Sequence, residues 1–75
     1  MFILQERPHG ETYHDGKPIN WYVAFGPTDN IPELLRRKLL ADGYSGYAQH
    51  RIVDDFGQEF EFFEKGHEWL LQPKR

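Results

Sequence analysis

Asn30-Ile31-Pro32-Glu33-Leu34-Leu35-Arg36-Arg37-Lys38-Leu39-Leu40-Ala41-Asp42-Gly43 is the one stretch of this chain with the apolar spacing of an amphipathic helix. Asn30 with Glu33 three residues on has the form of a capping box. Pro32 falls in the first turn, where its missing N–H costs nothing, and Thr28 is a competing N-cap. Gly43 after Asp42 supplies the stop. A helix over residues 31–41 puts Ile31, Leu35 and Leu39 at the centre of a buried stripe, with Leu34 and Lys38 on one flank and Arg36 and Leu40 on the other. Glu33 and Arg37 form an outward i, i+4 pair.

Both flanks of this helix read as strands. Phe2-Ile3-Leu4 opens a short strand over 2–7, ended by Pro8-His9-Gly10. Asp15-Gly16 suits a tight hairpin turn, and its second arm leads into a strand over 20–25 that Gly26-Pro27 ends. Pro18 cannot donate a ladder hydrogen bond, so this hairpin is expected at a sheet edge or with an irregular start. Beyond a turn at Gly43-Tyr44-Ser45-Gly46, strands follow over 47–53, 59–64 and 67–72, separated by a reversal at 54–58 and a tight turn at Lys65-Gly66. The expected fold is α+β, about β-β-α-β-β-β: a mainly antiparallel sheet of four to five strands packed on one helix, forming a single domain over residues 1–75. The three strands after the helix should form an antiparallel meander. Val23, Phe25, Ile31, Leu35, Leu39, Ile52, Phe60, Phe62 and Leu71 are the expected core.

Strict alternation assigns aromatic residues to both faces of the sheet. Trp21, Val23 and Phe25 fall on one parity, Tyr22 and Ala24 on the other, and Phe60 and Phe62 oppose Phe63. A single short helix shields one face, so the other meets loops, a second copy, a partner chain or water. On that second face Ile3, Tyr22, Ala24, Phe63 and Leu70 would form a small apolar patch, and Glu59, Glu61, Glu68 and Tyr22 its polar rim. The plainer reading has the N-terminal hairpin folded over the patch.

Composition narrows the chemistry. A chain of 75 residues supports one modest core, so self-association gains weight where disulfides are absent, and this chain has no cysteine. Thiolate catalysis and thiolate zinc sites are thereby excluded. Ser45 is the only serine, and Gly43-Tyr44-Ser45-Gly46 lacks the final glycine of a nucleophile elbow because Tyr47 stands there. His9, His14, His50 and His67 match no metal-ligand spacing, and Asp54-Asp55-Phe56-Gly57-Gln58-Glu59 lacks the ligand order of a calcium loop. The reading is therefore non-enzymatic, without cofactor or metal. No signal-peptide pattern and no run of about 20 apolar residues occurs, which reads as a cytoplasmic protein with no membrane association.

Charge then separates the function classes. The net charge is −3, and residues 54–68 carry Asp54, Asp55, Glu59, Glu61, Glu64 and Glu68 against Lys65 alone. A phosphate backbone lying over Phe63 would meet Glu59 and Glu61 on the same strand face, which argues against nucleic acid. The favoured expectation is a protein-interaction module, an adaptor or inhibitor. It would use Tyr22, Glu59, Glu61, Phe63, Glu68 and Leu70 to bind a basic protein surface or a second subunit. Clustered carboxylates could also imitate nucleic acid toward a phosphate-binding groove. The alternative is a single-stranded nucleic-acid binder that uses the sheet aromatics with Arg36, Arg37, Lys38 and Arg51.

Overall fold

The computed structural model describes residues 1–8, 13–14, 17–18, 21–43, 46 and 48–75, with the backbone alone at 13–14 and 17–18. In chain order the elements are β1 (Phe2–Pro8), β2 (Tyr13–His14), β3 (Lys17–Pro18), β4 (Tyr22–Thr28), α1 (Ile31–Asp42), β5 (Ala48–Asp54), β6 (Glu59–Lys65) and β7 (Glu68–Pro73). Five strands form one antiparallel sheet in the order β4-β1-β5-β6-β7, and β2 pairs with β3 in a separate short ladder. The fold is thus α+β with one helix on an antiparallel sheet, as the alternation of elements along the sequence implies. The turns expected at Asp15-Gly16, at His9-Gly10 and at Tyr44-Ser45 lie outside the described residues.

The first strand lies inside the sheet, between β4 and β5. β4 and β5 both run antiparallel to β1, so they are parallel to each other, and α1 carries the chain across β1 between them. Alternation along β1 sends Phe2 and Leu4 to the helix-side core and Ile3, paired with Val53, to the opposite face. Leu4, Leu34 and Ile52 form the buried centre, with Phe2, Phe25, Ile31, Ala41, Phe60, Phe62 and Leu71 packed around it. Phe2 meets Phe60 edge to face, with ring centroids 5.0 Å apart.

Two expected core residues are instead exposed. Leu39 is 47% and Val23 59% accessible. For Leu39 the reason is a rotation of the helix: Ile31, Leu34 and Ala41 face the sheet, and Leu34, expected on the flank, is fully buried. This orientation brings Lys38, expected on the same flank as Leu34, inward with it. The side chain lies along the protein and sends its ammonium out to Asp42 Oδ1, 2.6 Å away, so the methylenes are covered while the charge stays paired.

Val23 is exposed because β4 breaks alternation. Leu4 pairs with Phe25 but Gln5 pairs with Val23, so Ala24 is an extra residue opposite β1 and everything before it changes face. Phe25 faces the helix, where the Arg37 guanidinium carbon sits 4.9 Å from its ring centroid. Val23 faces the opposite side, and Tyr22 pairs with Glu6 on the helix side. The strand also continues past Gly26-Pro27 to Thr28 instead of ending there, with a second register shift and a cis peptide bond at that dipeptide. Gly26 has φ +106°, and a Cβ there would lie 2.8 Å from the Phe2 carbonyl oxygen, so only glycine fits.

The helix termini are built locally. Asn30 Oδ1 accepts from the Glu33 N–H at 3.1 Å, which is half of the expected capping box. The other half is replaced: Thr28 Oγ1 accepts from the Asn30 N–H at 3.0 Å, and the Glu33 carboxylate turns to Arg36 and Arg37. Gly43 closes the helix in a right-handed conformation, φ −65°, so its left-handed freedom is not used.

Candidate functional site

Register assigns the side chains of the face opposite α1. Ile3, Gln5 and Arg7 come from β1, Gln49, Arg51 and Val53 from β5, Glu59, Glu61 and Phe63 from β6, and Glu68, Leu70 and Gln72 from β7. Val23 and the adjoining Trp21 join them from the β4 side. Five of the six residues expected to bind a partner, Glu59, Glu61, Phe63, Glu68 and Leu70, therefore share one side of the sheet. Tyr22 does not: the extra residue at Ala24 moves it to the helix side on the far edge strand, and Ala24 leaves the expected patch with it.

The patch is also less continuous than period-two alternation implies. Ile3 pairs with Val53, and Val53 with Glu59, so Ile3 is level with the start of β6. Phe63 lies four residues further along the same strand, about 14 Å at ~3.4 Å per residue. Moreover, β5 and β6 pair only at Ile52–Phe60 and Val53–Glu59, whereas β6 and β7 remain paired from Phe60–Pro73 to Lys65–Glu68. The β6–β7 hairpin therefore extends away from the rest of the sheet, in a molecule measuring 45 × 27 × 22 Å. Phe63 and Leu70 pair directly on this arm, Phe63 half-buried and Leu70 exposed.

Local chemistry shapes both ends of β6. At the β5–β6 turn the Asp54 carboxylate accepts from the N–H groups of Phe56 and Gln58, each at 2.9 Å, and Gly57 takes φ +80°. Asp54 is thus committed to shaping the turn, and Phe56 stands exposed at its tip. At the other end Gly66 takes φ +64° in the two-residue loop that joins Lys65 to Glu68.

The two halves of the open face differ in charge. Over β1 and β5, Arg51 Nε donates to Gln5 Oε1 at 2.8 Å and Arg7 Nη2 donates to Gln49 Oε1 at 2.7 Å. The guanidinium carbons of Arg51 and Arg7 lie 4.2 and 4.6 Å from the Trp21 ring centroid. Over β6 and β7 the acids are partly matched: Glu59 meets Lys74 at 3.0 Å and Arg51 at 4.0 Å, and Glu61 accepts from the Gln72 amide at 3.1 Å. Glu68, paired across from Lys65, is exposed.

Trp21, Arg7 and Arg51 are a cluster that sequence reasoning missed. Its trace was present as Gln5-Glu6-Arg7 and Gln49-His50-Arg51, two similar tripeptides that antiparallel pairing lays side by side. Their middle residues meet on the helix side, where His50 Nε2 is 3.4 Å from Glu6 Oε2. His50 is the most enclosed polar side chain of the region, 7% exposed, and its Nδ1 has no partner among the described residues.

The basic residues expected to serve a nucleic acid are divided between surfaces. Arg36 and Arg37 share the Glu33 carboxylate at 2.6 and 3.1 Å, and Lys38 holds Asp42, all on α1, while Arg51 is on the opposite side of the sheet. The two arginines hold the Glu33 carboxyl down at about 2, chiefly through the Arg36 hydrogen bonds. Where β5 and β6 separate, a cavity of about 260 Å³ opens between α1 and the sheet, with Leu35, Leu39, Phe60, Phe62 and Trp69 in its wall alongside charged side chains that include Lys38 and Glu59. Among the described residues no three His, Asp or Glu side chains converge as metal ligands would, and His9 and the side chain of His14 lie outside those residues. No helix among the described residues is long and apolar enough to cross a membrane.

In comparisons with known proteins, no family model matches the chain, and no curated protein or solved structure matches it.

Proposed function

We propose that this chain is a non-enzymatic protein-interaction module, an adaptor or inhibitor, that binds a basic protein surface through the open side of its β6–β7 arm. One observation carries the reading: Phe63 and Leu70 pair directly on that arm, on the side away from the helix, with Glu61 and Glu68 as their neighbours on the same side. An apolar centre with a carboxylate rim is the anatomy of a protein interface, and the acids favour a cationic partner by steering its approach. In this reading Phe63 and Leu70 supply contact area, and Glu59, Glu61 and Glu68 supply orientation.

A single-stranded nucleic acid is the second reading, favoured by Trp21 lying beside Arg7 and Arg51. Against it stands the carboxylate of Glu59, 4.0 Å from Arg51 and on the same face. The two readings use different halves of the sheet.

Site-specific photo-crosslinking in an extract of the source cells separates them. A photoreactive residue at 63 or 70 should capture one basic protein, with capture weakened by salt and lost on Glu61→Lys plus Glu68→Lys. The same group at Val23 should capture none of it. Equal capture from all three positions, or capture of nucleic acid from position 23 alone, would overturn the partner reading.

A further inference from the structure

The two outer strands of the sheet are unlike each other. β4 carries two register shifts against β1, so its outer edge is broken as a pairing template. β7 pairs with β6 from Glu68 to Pro73 without a single shift, and among the described residues no strand pairs with its other edge. It carries no bulge and no lysine within the strand, and Trp69 and Leu70 project from it 41% and 38% exposed, one on each face. An unbroken edge with apolar side chains on both faces is a template for another strand.

Backbone direction says which groups are on offer. The Lys74 N–H donates to the Glu59 carbonyl at 2.9 Å, so Lys74 directs its polar groups toward β6. By strand alternation Gln72, Leu70 and Glu68 do the same, while Pro73, Leu71 and Trp69 direct theirs to the open edge. Pro73 has no N–H to offer, and at an outward position it leaves no gap in the β6–β7 ladder.

We infer that a second copy of this chain adds to this edge, β7 against β7 and antiparallel, with the two-fold axis passing between the two Leu70 residues. That register sets Trp69 opposite the partner's Leu71 as a hydrogen-bonded pair on each side of the axis. Every outward N–H and C=O of Trp69 and Leu71 in both copies is then used. Moving the axis to Leu71 would instead set Trp69 opposite Pro73 and leave the Trp69 carbonyls without a donor. With the axis at Leu70, the two Leu70 side chains touch on the open face and Trp69 covers the partner's Leu71 on the helix face. Glu68 faces the amide of Gln72, with Lys74 diagonal to it, so no like charges oppose each other. The broken β4 edge bars head-to-tail growth, and the assembly closes as a dimer with one continuous sheet.

The inference goes beyond the partner reading and stands without it, because its hydrogen bonds come from the β7 edge; Leu70 is the one side chain that the two readings share, and self-association of the purified chain is read with no partner present. Sedimentation equilibrium across a concentration series should give a species of twice the 8.9 kDa chain mass, and Leu70→Lys should give monomer at every concentration while keeping its circular dichroism. Since the chain has no cysteine, Leu70→Cys serves as a reporter. Residues at a non-hydrogen-bonded antiparallel pair lie about 4.5 Å apart at Cα, within disulfide reach. Leu70→Cys should oxidise to a linked dimer at least ten-fold faster than Val23→Cys. The amide protons of Trp69 and Leu71 should exchange more slowly as concentration rises. A monomer at all concentrations, equal oxidation of the two cysteine variants, or concentration-independent exchange at Trp69 and Leu71 would overturn it.

Discussion

Arg51 donates from Nε to Gln5 Oε1 across the β1–β5 ladder at 2.8 Å, and two residues along the same ladder Arg7 returns the pattern to Gln49 at 2.7 Å. Both guanidinium groups then lie beside the ring of Trp21. Residues 46 positions apart in sequence thus form one polar lattice over the open face. On the β6–β7 arm of the same face Phe63 meets Leu70, with Glu61 and Glu68 beside them. The two halves have separate chemistries, and separate substitutions address them.

Helix rotation is tested by a pair of leucines. Leu34 is fully buried and Leu39 is 47% exposed. Leu34→Ala should cost about 2–5 kcal/mol, because it removes buried methylenes and leaves a cavity, whereas Leu39→Ala should cost less than about 1 kcal/mol. Urea unfolding of the two variants measures the difference. A larger cost at Leu39 would restore the orientation that polarity alone suggests.

The extra residue in β4 makes a matching contrast between neighbours of like parity. Phe25 packs against the core and under Arg37, while Val23 faces the open side. Phe25→Ala should destabilise by roughly 2–3 kcal/mol, a little below the cost at a fully buried ring. Val23→Ser should stay within about 0.5 kcal/mol. Comparable losses at both positions would mean that the strand keeps strict alternation.

Gly26 is fixed by space as well as by conformation. With φ +106° and the Phe2 carbonyl oxygen 2.8 Å from where a Cβ would sit, Gly26→Ala should lower stability by more than about 1 kcal/mol. Gly46→Ala has nothing within 4 Å of the new Cβ and should be close to neutral. Chemical-denaturation midpoints for the two variants give the comparison, and a neutral Gly26→Ala would contradict the close approach of β1 and β4.

Glu33 ties stability to pH in a defined window. Arg36, aided by Arg37, depresses the folded carboxyl to about 2 from an ordinary 4.5. A depressed carboxyl contributes stability that is present above its unfolded pKa and is lost as pH falls through the folded one. Melting temperature should therefore decline between about pH 4.5 and about pH 2, and part of that slope should vanish in Glu33→Gln. Unchanged slopes in wild type and variant would show that the ion pairs add nothing to the folded state.

Nucleic acid provides the negative control for the partner reading. Labelled single-stranded DNA or RNA at low salt should show no micromolar binding, since Glu59 and Glu61 share the face with Phe63. Micromolar binding that Arg51→Glu abolishes, with Arg36→Glu left inert, would shift the function to the Trp21 side of the sheet.

The residues that the sequence determined by itself are those whose partners are near in the chain. Asn30 caps the helix through a bond three residues away, Asp54 builds its turn within four residues, and Gly66 sits in a two-residue loop. The alignment of Glu59, Glu61, Phe63, Glu68 and Leu70 was legible for the same reason, because an unbroken hairpin keeps period two from one strand to the next. Tertiary structure decided the rest. The place of β1 between β4 and β5, the side on which Tyr22 and Val23 emerge, the turn of the helix toward Leu34, and the meeting of Trp21 with Arg7 and Arg51 all depend on which distant segment each residue meets. One extra residue in a strand reverses every face before it, and a helix turned toward Leu34 carries Lys38 inward with its stem along the protein. Such choices are settled by the summed packing of the whole chain, where no single local preference is strong enough to announce them.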